Sequence, residues 1–204
     1  NEAGSFGEFH ALVIGNNDYL NYPKLSTAIS DAKDVANILS NRYGFKTTTL
    51  INANRFTILA ALNRLNKKLA KNDNLLVYYA GHGELDNSKT GYWLPVDANR
   101  SDQRKWISNK AVTDILNAMD VKRVLIVADS CYSGALTRSS IAQIDTAVGD
   151  AQRMQMLRSM AKSRARTALV SGGMQPVADQ VDSGKHSVFA NAFLQVLLQN
   201  DDII

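Results

Sequence analysis

A single cysteine, Cys131, occurs among the 204 residues, so no disulfide can form within the chain and the fold must hold without one. Apolar runs are short. None approaches the roughly 18 residues of a membrane span, which argues against a membrane partner, and no internal repeat points to a solenoid. A glycine-rich phosphate loop is also missing: after the first strand candidate stands Asn16-Asn17-Asp18-Tyr19, where an anion would meet few open amides, so a flavodoxin-like ligand-binding domain is disfavoured. The remaining composition, 45% hydrophobic and 21% charged, excludes a disordered tail, a collagen-like rod and a disulfide-stapled miniprotein. Lys+Arg number 23 against 19 Asp+Glu, a formal charge of +4, but the basic residues are scattered until a cluster near residues 153 to 166. Nucleic acid is therefore not an expected partner. The cysteine count suits the cytoplasm without excluding secretion, and Asn1 in place of Met implies a start that was processed or cut.

Short β-branched runs alternate with segments of helical period, which predicts an α/β fold: a mostly parallel central sheet with helices on both faces. Five strands are expected, at His10 to Gly15, Phe45 to Ile51, Asn74 to Ala80, Arg123 to Ala128 and Thr167 to Ser171, each nearly continuously apolar as if buried on both faces. Core-facing helical stripes are expected at Ile58, Leu62, Leu65 and Leu69 and at Val112, Ile115, Leu116 and Met119. Val35, Ile38 and Leu39 mark a helix ending near Gly44, and Phe189, Phe193 and Val196 mark another. Residues 83 to 107 read as a long, partly ordered loop, and residues 134 to 166 as a basic, exposed connector.

In a parallel sheet the loops at the carboxyl edge open on one side, and two strands end there in unusual sequences. One passes into Gly81-His82-Gly83-Glu84, the other into Asp129-Ser130-Cys131-Tyr132-Ser133-Gly134. A thiol with pKa near 8.5 is only a few per cent thiolate at neutral pH, so a cysteine nucleophile gains from a base within hydrogen-bond reach. His82 can supply that base, and the Gly83 and Cys131 amides can form an oxyanion hole. His186, opening the last helix, is the rival base or a plain helix N-terminal residue. His10 lies at the opposite edge and receives no role.

The words YAGHGE and DSCYSG are also where the sequence resembles a family, the caspase-type (C14, clan CD) cysteine peptidases, and within it the metacaspase and bacterial orthocaspase branch. The resemblance extends through VIGNNDYLNYPKLSTAISDAKDVANIL, through LPVD, and through TALVSGG and HSVFANAFLQVL at the last portion of the substrate cleft. It implies a caspase-haemoglobinase-like three-layer sandwich, with Cys131 as nucleophile, His82 as general base and acid, and an oxyanion hole at Gly83 and Cys131. No third, carboxylate member of the catalytic unit is required. It further implies substrate contacts from Asp31, Asp129 and Ser171.

Asp31 falls where metacaspases place a pocket carboxylate, and Asp129 stands two positions before the cysteine, where aspartate-directed caspases carry glutamine. Two carboxylates in one closed pocket are relieved by an entering cation, so cleavage after Arg, then Lys, is expected. The bland alternative for Asp31 is a solvated helix residue beside Lys33 and Asp34. Metacaspases often need calcium, but Glu84, Asp86, Asp97 and Asp102 are dispersed here and Ser108-Asn109 replaces an acidic pair, so no metal or other cofactor is expected. One catalytic domain is expected over residues 1 to 204, within a longer natural chain. It divides into a large-subunit-like segment (residues 1 to 133), a linker (residues 134 to 166) and a small-subunit-like segment (residues 167 to 204) that lacks a final strand. Slow self-cleavage is expected after Arg153, Arg158, Lys162, Arg164 or Arg166, and the protein is expected to be a monomer acting on protein or peptide substrates. The rival class is a catalytically silent or latent caspase-like module used for binding or assembly.

Overall fold

A computed structural model describes residues 7–130, 165–171 and 185–200. Cys131 and most of the basic connector lie outside the described residues. The central sheet has the order β2-β1-β3-β7-β8, formed by β1 (Phe9–Gly15), β2 (Lys46–Ile51), β3 (Asn74–Ala80), β7 (Arg123–Asp129) and β8 (Ala165–Val170). All four pairings are parallel and in continuous register, so every strand carries its carboxyl end to the same edge.

Alternation along these strands divides the interior into two cores. On one face Leu12, Ile14, Leu75, Val77, Tyr79 and Ile126 pack against α2 (Arg55–Lys68) and α3 (Asn109–Ala118). On the other, Ala11, Val13, Leu76, Tyr78 and Val127 pack against α1 (Ala28–Asn41) and α4 (Val188–Gln199). Helix, sheet and helix thus form the three layers of the expected α/β sandwich. Helix α1 lies directly on the end of β1: a Cβ at Gly15 would stand 2.4 Å from the Ala28 carbonyl oxygen, so only glycine fits. Helix starts follow local chemistry, with the side chains of Asn54, Ser108 and Ser187 accepting from the N–H groups of Thr57, Ala111 and Ala190.

Four expectations need correction. Residues 83 to 107 are not a loop: β4 (Gly83–Leu85), β5 (Gly91–Trp93) and β6 (Ile107–Ser108) form an antiparallel sheet, anchored by Trp93 stacked 4.4 Å from the Tyr79 ring. Strands of two or three residues are too short to display a period, which hid them. β2 and β8 are not buried on both faces; β2 is an edge strand whose threonines face partly outward. Val196 points to solvent, and α4 instead buries Ala190, Phe193, Leu194 and Leu197. Finally, Arg166 is not an exposed connector residue. It sits in β8, with its guanidinium donating to the carbonyls of Met119, Val121 and Lys122.

Candidate active site

β3 delivers His82 to the carboxyl edge through seven buried residues, and Gly81 N–H donates to the Asp129 carbonyl at 3.2 Å, tying the ends of β3 and β7 together. The His82 backbone is held from both sides. Its N–H donates to the Tyr19 hydroxyl at 2.8 Å, while its carbonyl accepts from Tyr79 Oη at 2.8 Å and from Leu94 N–H at 3.0 Å. Burial pushes the Tyr19 hydroxyl up to about 12, so it stays neutral and serves as a fixed partner.

The His82 ring is oriented by main chain. Nε2 lies 2.8 Å from the Pro23 carbonyl oxygen, and a carbonyl only accepts, so Nε2 carries the proton and Nδ1 is left with the lone pair. Tyr19 packs 4.6 Å from the imidazole, closing one side. This carbonyl does the orienting work that a third carboxylate does elsewhere, and sequence reasoning missed it: nothing in Asn21-Tyr22-Pro23-Lys24 signals a contact made 59 residues away. Leu94 bonding to His82 makes Gly83 and Trp93 a pair whose own amides point out of the ladder, leaving the Gly83 N–H aimed away from β5.

Gly81 has a steric reason. A Cβ there would sit 2.6 Å from Tyr19 Oη and 2.8 Å from Tyr79 Oη, the two hydroxyls that hold His82. Gly81→Ala is expected to cost about 1–3 kcal/mol of stability by overpacking and to lower any turnover that depends on His82 more than tenfold at temperatures where the variant is fully folded. Thermal denaturation and steady-state rates on the same preparation check this; unchanged turnover would show that the tyrosines do not set His82's position.

The second half of the site lies beside β7. Asp31, in the first turn of α1, is fully buried, and the solvated-helix alternative fails. Its Oδ1 meets His186 Nδ1 at 2.6 Å, and its Oδ2 accepts from Ser187 N–H at 3.3 Å. Ser187 Oγ donates to Asp129 Oδ2, so one serine links the two carboxylates. Burial, foremost, raises the Asp31 carboxyl above the usual carboxylate range, with Asp129 adding to the rise and His186 and Ser187 opposing it. The Nε2 of His186 lies 3.3 Å from Asp34 Oδ2, so both of its ring nitrogens face carboxylates of α1. Ser171 directly follows β8, with its N–H on the Ala128 carbonyl and its Oγ 3.4 Å from the Ser130 carbonyl. His82, Asp31, Asp129 and Ser171 therefore share one edge of the sheet with the residue that precedes Cys131, while His10 is at the other. Sequence reasoning missed Ser187: its cap on α4 is a local feature, but its link to Asp129 needs the fold.

A family model described as the caspase domain, Peptidase_C14, matches residues 8–203. The chain belongs to the caspase domain family. Among its relatives, human mucosa-associated lymphoid tissue lymphoma translocation protein 1 is 34% identical over 88 residues, 43% of this chain and 10% of that protein. Metacaspase-1 of Kluyveromyces lactis is 28% identical over 155 residues, 64% of this chain and 34% of the metacaspase. The chain thus spans about a third or less of these relatives. In fold it is similar to protein GSU0716 of Geobacter sulfurreducens, with a TM-score of 0.65 at 23% identity, covering 93% of this chain and 81% of that one. That family is one of cysteine peptidases, and the caspase-like sandwich read from the sequence is the observed one.

Proposed function

We propose that this caspase-family domain is a cysteine endopeptidase that hydrolyses peptide bonds after Arg, and less readily after Lys, through a Cys131/His82 dyad. His82 Nδ1 takes the thiol proton, and the sulfur attacks the scissile carbonyl, whose oxyanion the Gly83 and Cys131 amides receive. Collapse breaks the C–N bond as His82 returns its proton to the leaving amine, giving an acyl-enzyme that water hydrolyses by the same proton transfers. The observation that carries the specificity is the Asp31–Ser187–Asp129 arrangement: two carboxylates from separate elements meet over one serine beside the end of β7. A P1 guanidinium relieves their repulsion and can bridge them in bidentate fashion; an ammonium does so as a point charge. Ser171 lines the same edge as a further substrate contact.

Calcium independence belongs to this reading. Each of the four acids named for the calcium position has its own partner: Glu84 accepts from the Tyr22 hydroxyl, Asp86 from Ser88, Thr90 and Tyr92, Asp97 from Arg55, and Asp102 pairs with Arg104. No oxygen cage converges among them. The enzyme is proposed to act as a monomer of orthocaspase type, to need neither membrane nor nucleic acid, and to cut itself slowly after Arg153, Arg158, Lys162 or Arg164, with Arg166 withdrawn because its strand holds it.

One observation favours the rival, latent reading: Asp31 is already paired with His186. Matched fluorogenic peptides ending in Arg, Lys or Asp, given to wild type and Cys131→Ala with millimolar calcium or with chelator, separate the two. Turnover after Arg in both wild-type conditions, with none in Cys131→Ala, is the expected result. A sharp rate rise with calcium overturns the cofactor assignment, and no turnover by folded protein supports the latent module.

A further inference from the structure

At the edge of the sheet opposite His82, Glu8, His10 and Asp73 gather where β1 and β3 begin. One ligand atom from each, the two carboxylate oxygens and an imidazole nitrogen, lie within 4.8 Å of one another. His10 Nε2 stands 3.2 Å from Glu8 Oε2 and 3.8 Å from Asp73 Oδ2. His10 is 2% exposed, and its Nε2 is buried without a hydrogen bond of acceptable geometry. A single N–H on Nε2 cannot point at two oxygens at once, and here it satisfies neither.

We propose that Glu8, His10 and Asp73 form a binding site for one divalent transition-metal ion of the zinc kind, with water in the remaining position. For an ion about 2.1 Å from His10 Nε2 and from a carboxylate oxygen, the separations of 3.2 Å and 3.8 Å correspond to angles at the ion of about 100° and 130°, on either side of the tetrahedral value. The carboxylates are oriented as ligands usually are. Asp73 accepts from the N–H groups of Glu8 and Ala70, and Lys46 holds the outer oxygen Oε1 of Glu8, leaving Oε2 turned to His10. The half-exposed Glu8 side chain provides the way in. Imidazole with two carboxylates suits zinc, whereas calcium wants six to eight oxygens. The seven residues of β3, about 20 Å long, lie between this site and His82, so the ion would fasten the start of β1 to the turn before β3 and take no part in peptide cleavage.

The test uses the full chain as Cys131→Ala, which removes the other thiol and imidazole combination able to take zinc. After chelator dialysis the protein is titrated calorimetrically with zinc chloride, with calcium chloride as control. Binding of one zinc at micromolar or tighter dissociation constant is expected, abolished in His10→Ala and weakened at least tenfold in Asp73→Asn. Should His10→Ala fail to fold, Glu8→Gln, altering the exposed member, must also weaken zinc at least tenfold. Cobalt(II) in the same site is expected to give visible absorption bands that Glu8→Gln diminishes. No zinc uptake, or uptake that is unchanged in Glu8→Gln and in His10→Ala, would overturn the proposal and leave the cluster as a structural ion pair. Because none of these readouts is peptide cleavage, the result is independent of the peptidase assignment.

Discussion

Cys131→Ala is expected to cleave no Arg-terminated peptide, and His82→Ala to lose about 10²–10⁴ in kcat while both remain folded. The nucleophile of a catalytic unit is worth on the order of 10⁶ in kcat, because without it no acyl-enzyme forms. His82 costs less, since a thiol retains some nucleophilicity through its thiolate fraction at neutral pH. The geometry sharpens this expectation. With Nε2 donating to the Pro23 carbonyl, only Nδ1 can exchange a proton with a thiol, so glutamine at position 82 should not restore the rate even where it keeps that hydrogen bond. Raising pH should partly rescue His82→Ala by increasing the thiolate fraction, and a rate that stays flat as pH rises would argue against general-base action. Thermal midpoints equal to wild type separate a chemical loss from a folding loss. A His82→Ala enzyme that keeps wild-type turnover would remove the dyad from consideration.

Asp31→Asn is expected to lower kcat/KM for Arg peptides by about 10²–10³, as truncating one partner of a buried charge pair costs 2–5 kcal/mol. Stability should move the other way. The Asp31 carboxyl lies above its ordinary range because burial penalises its charge, with Asp129 adding to the rise. Between the unfolded and folded values the folded state holds the proton that the unfolded state has released, so stability falls as pH climbs through that window and stays lower above it. Asparagine has no proton to lose. Relative to Asp31→Asn, wild type should therefore lose stability as pH rises from about 4 towards neutrality, read from urea midpoints at a series of pH values. Wild type gaining on the variant over that range would show that His186 and Ser187 outweigh desolvation. The paired outcome, specificity lost while stability is kept or improved, is what a site strained to receive a cation should give.

Much of the scaffold was legible because its signals are local. β3 and β7 are buried by neighbours on both sides, so each must be apolar throughout, and their bounds were readable to within a residue. β2 misled because an edge strand needs no such run, and β4, β5 and β6 are too short to carry a period. At the site, His82 stood out because two glycines flank a histidine just past a buried strand. Asp31 did so only through the family resemblance, since an aspartate between Ser30 and Ala32 in a helix reads the same whether solvated or buried.

By itself the sequence determined the layered α/β architecture, the edge on which chemistry gathers and the residue types offered there, because burial and strand order are written in hydrophobic pattern. Only the tertiary structure decided what those residues touch. That the Pro23 carbonyl turns His82, that Ser187 joins Asp31 to Asp129, and that His186 meets Asp31 of α1 are contacts across 58 to 156 positions. No local propensity encodes such contacts, because they follow from how parallel strands bring distant loops to one edge.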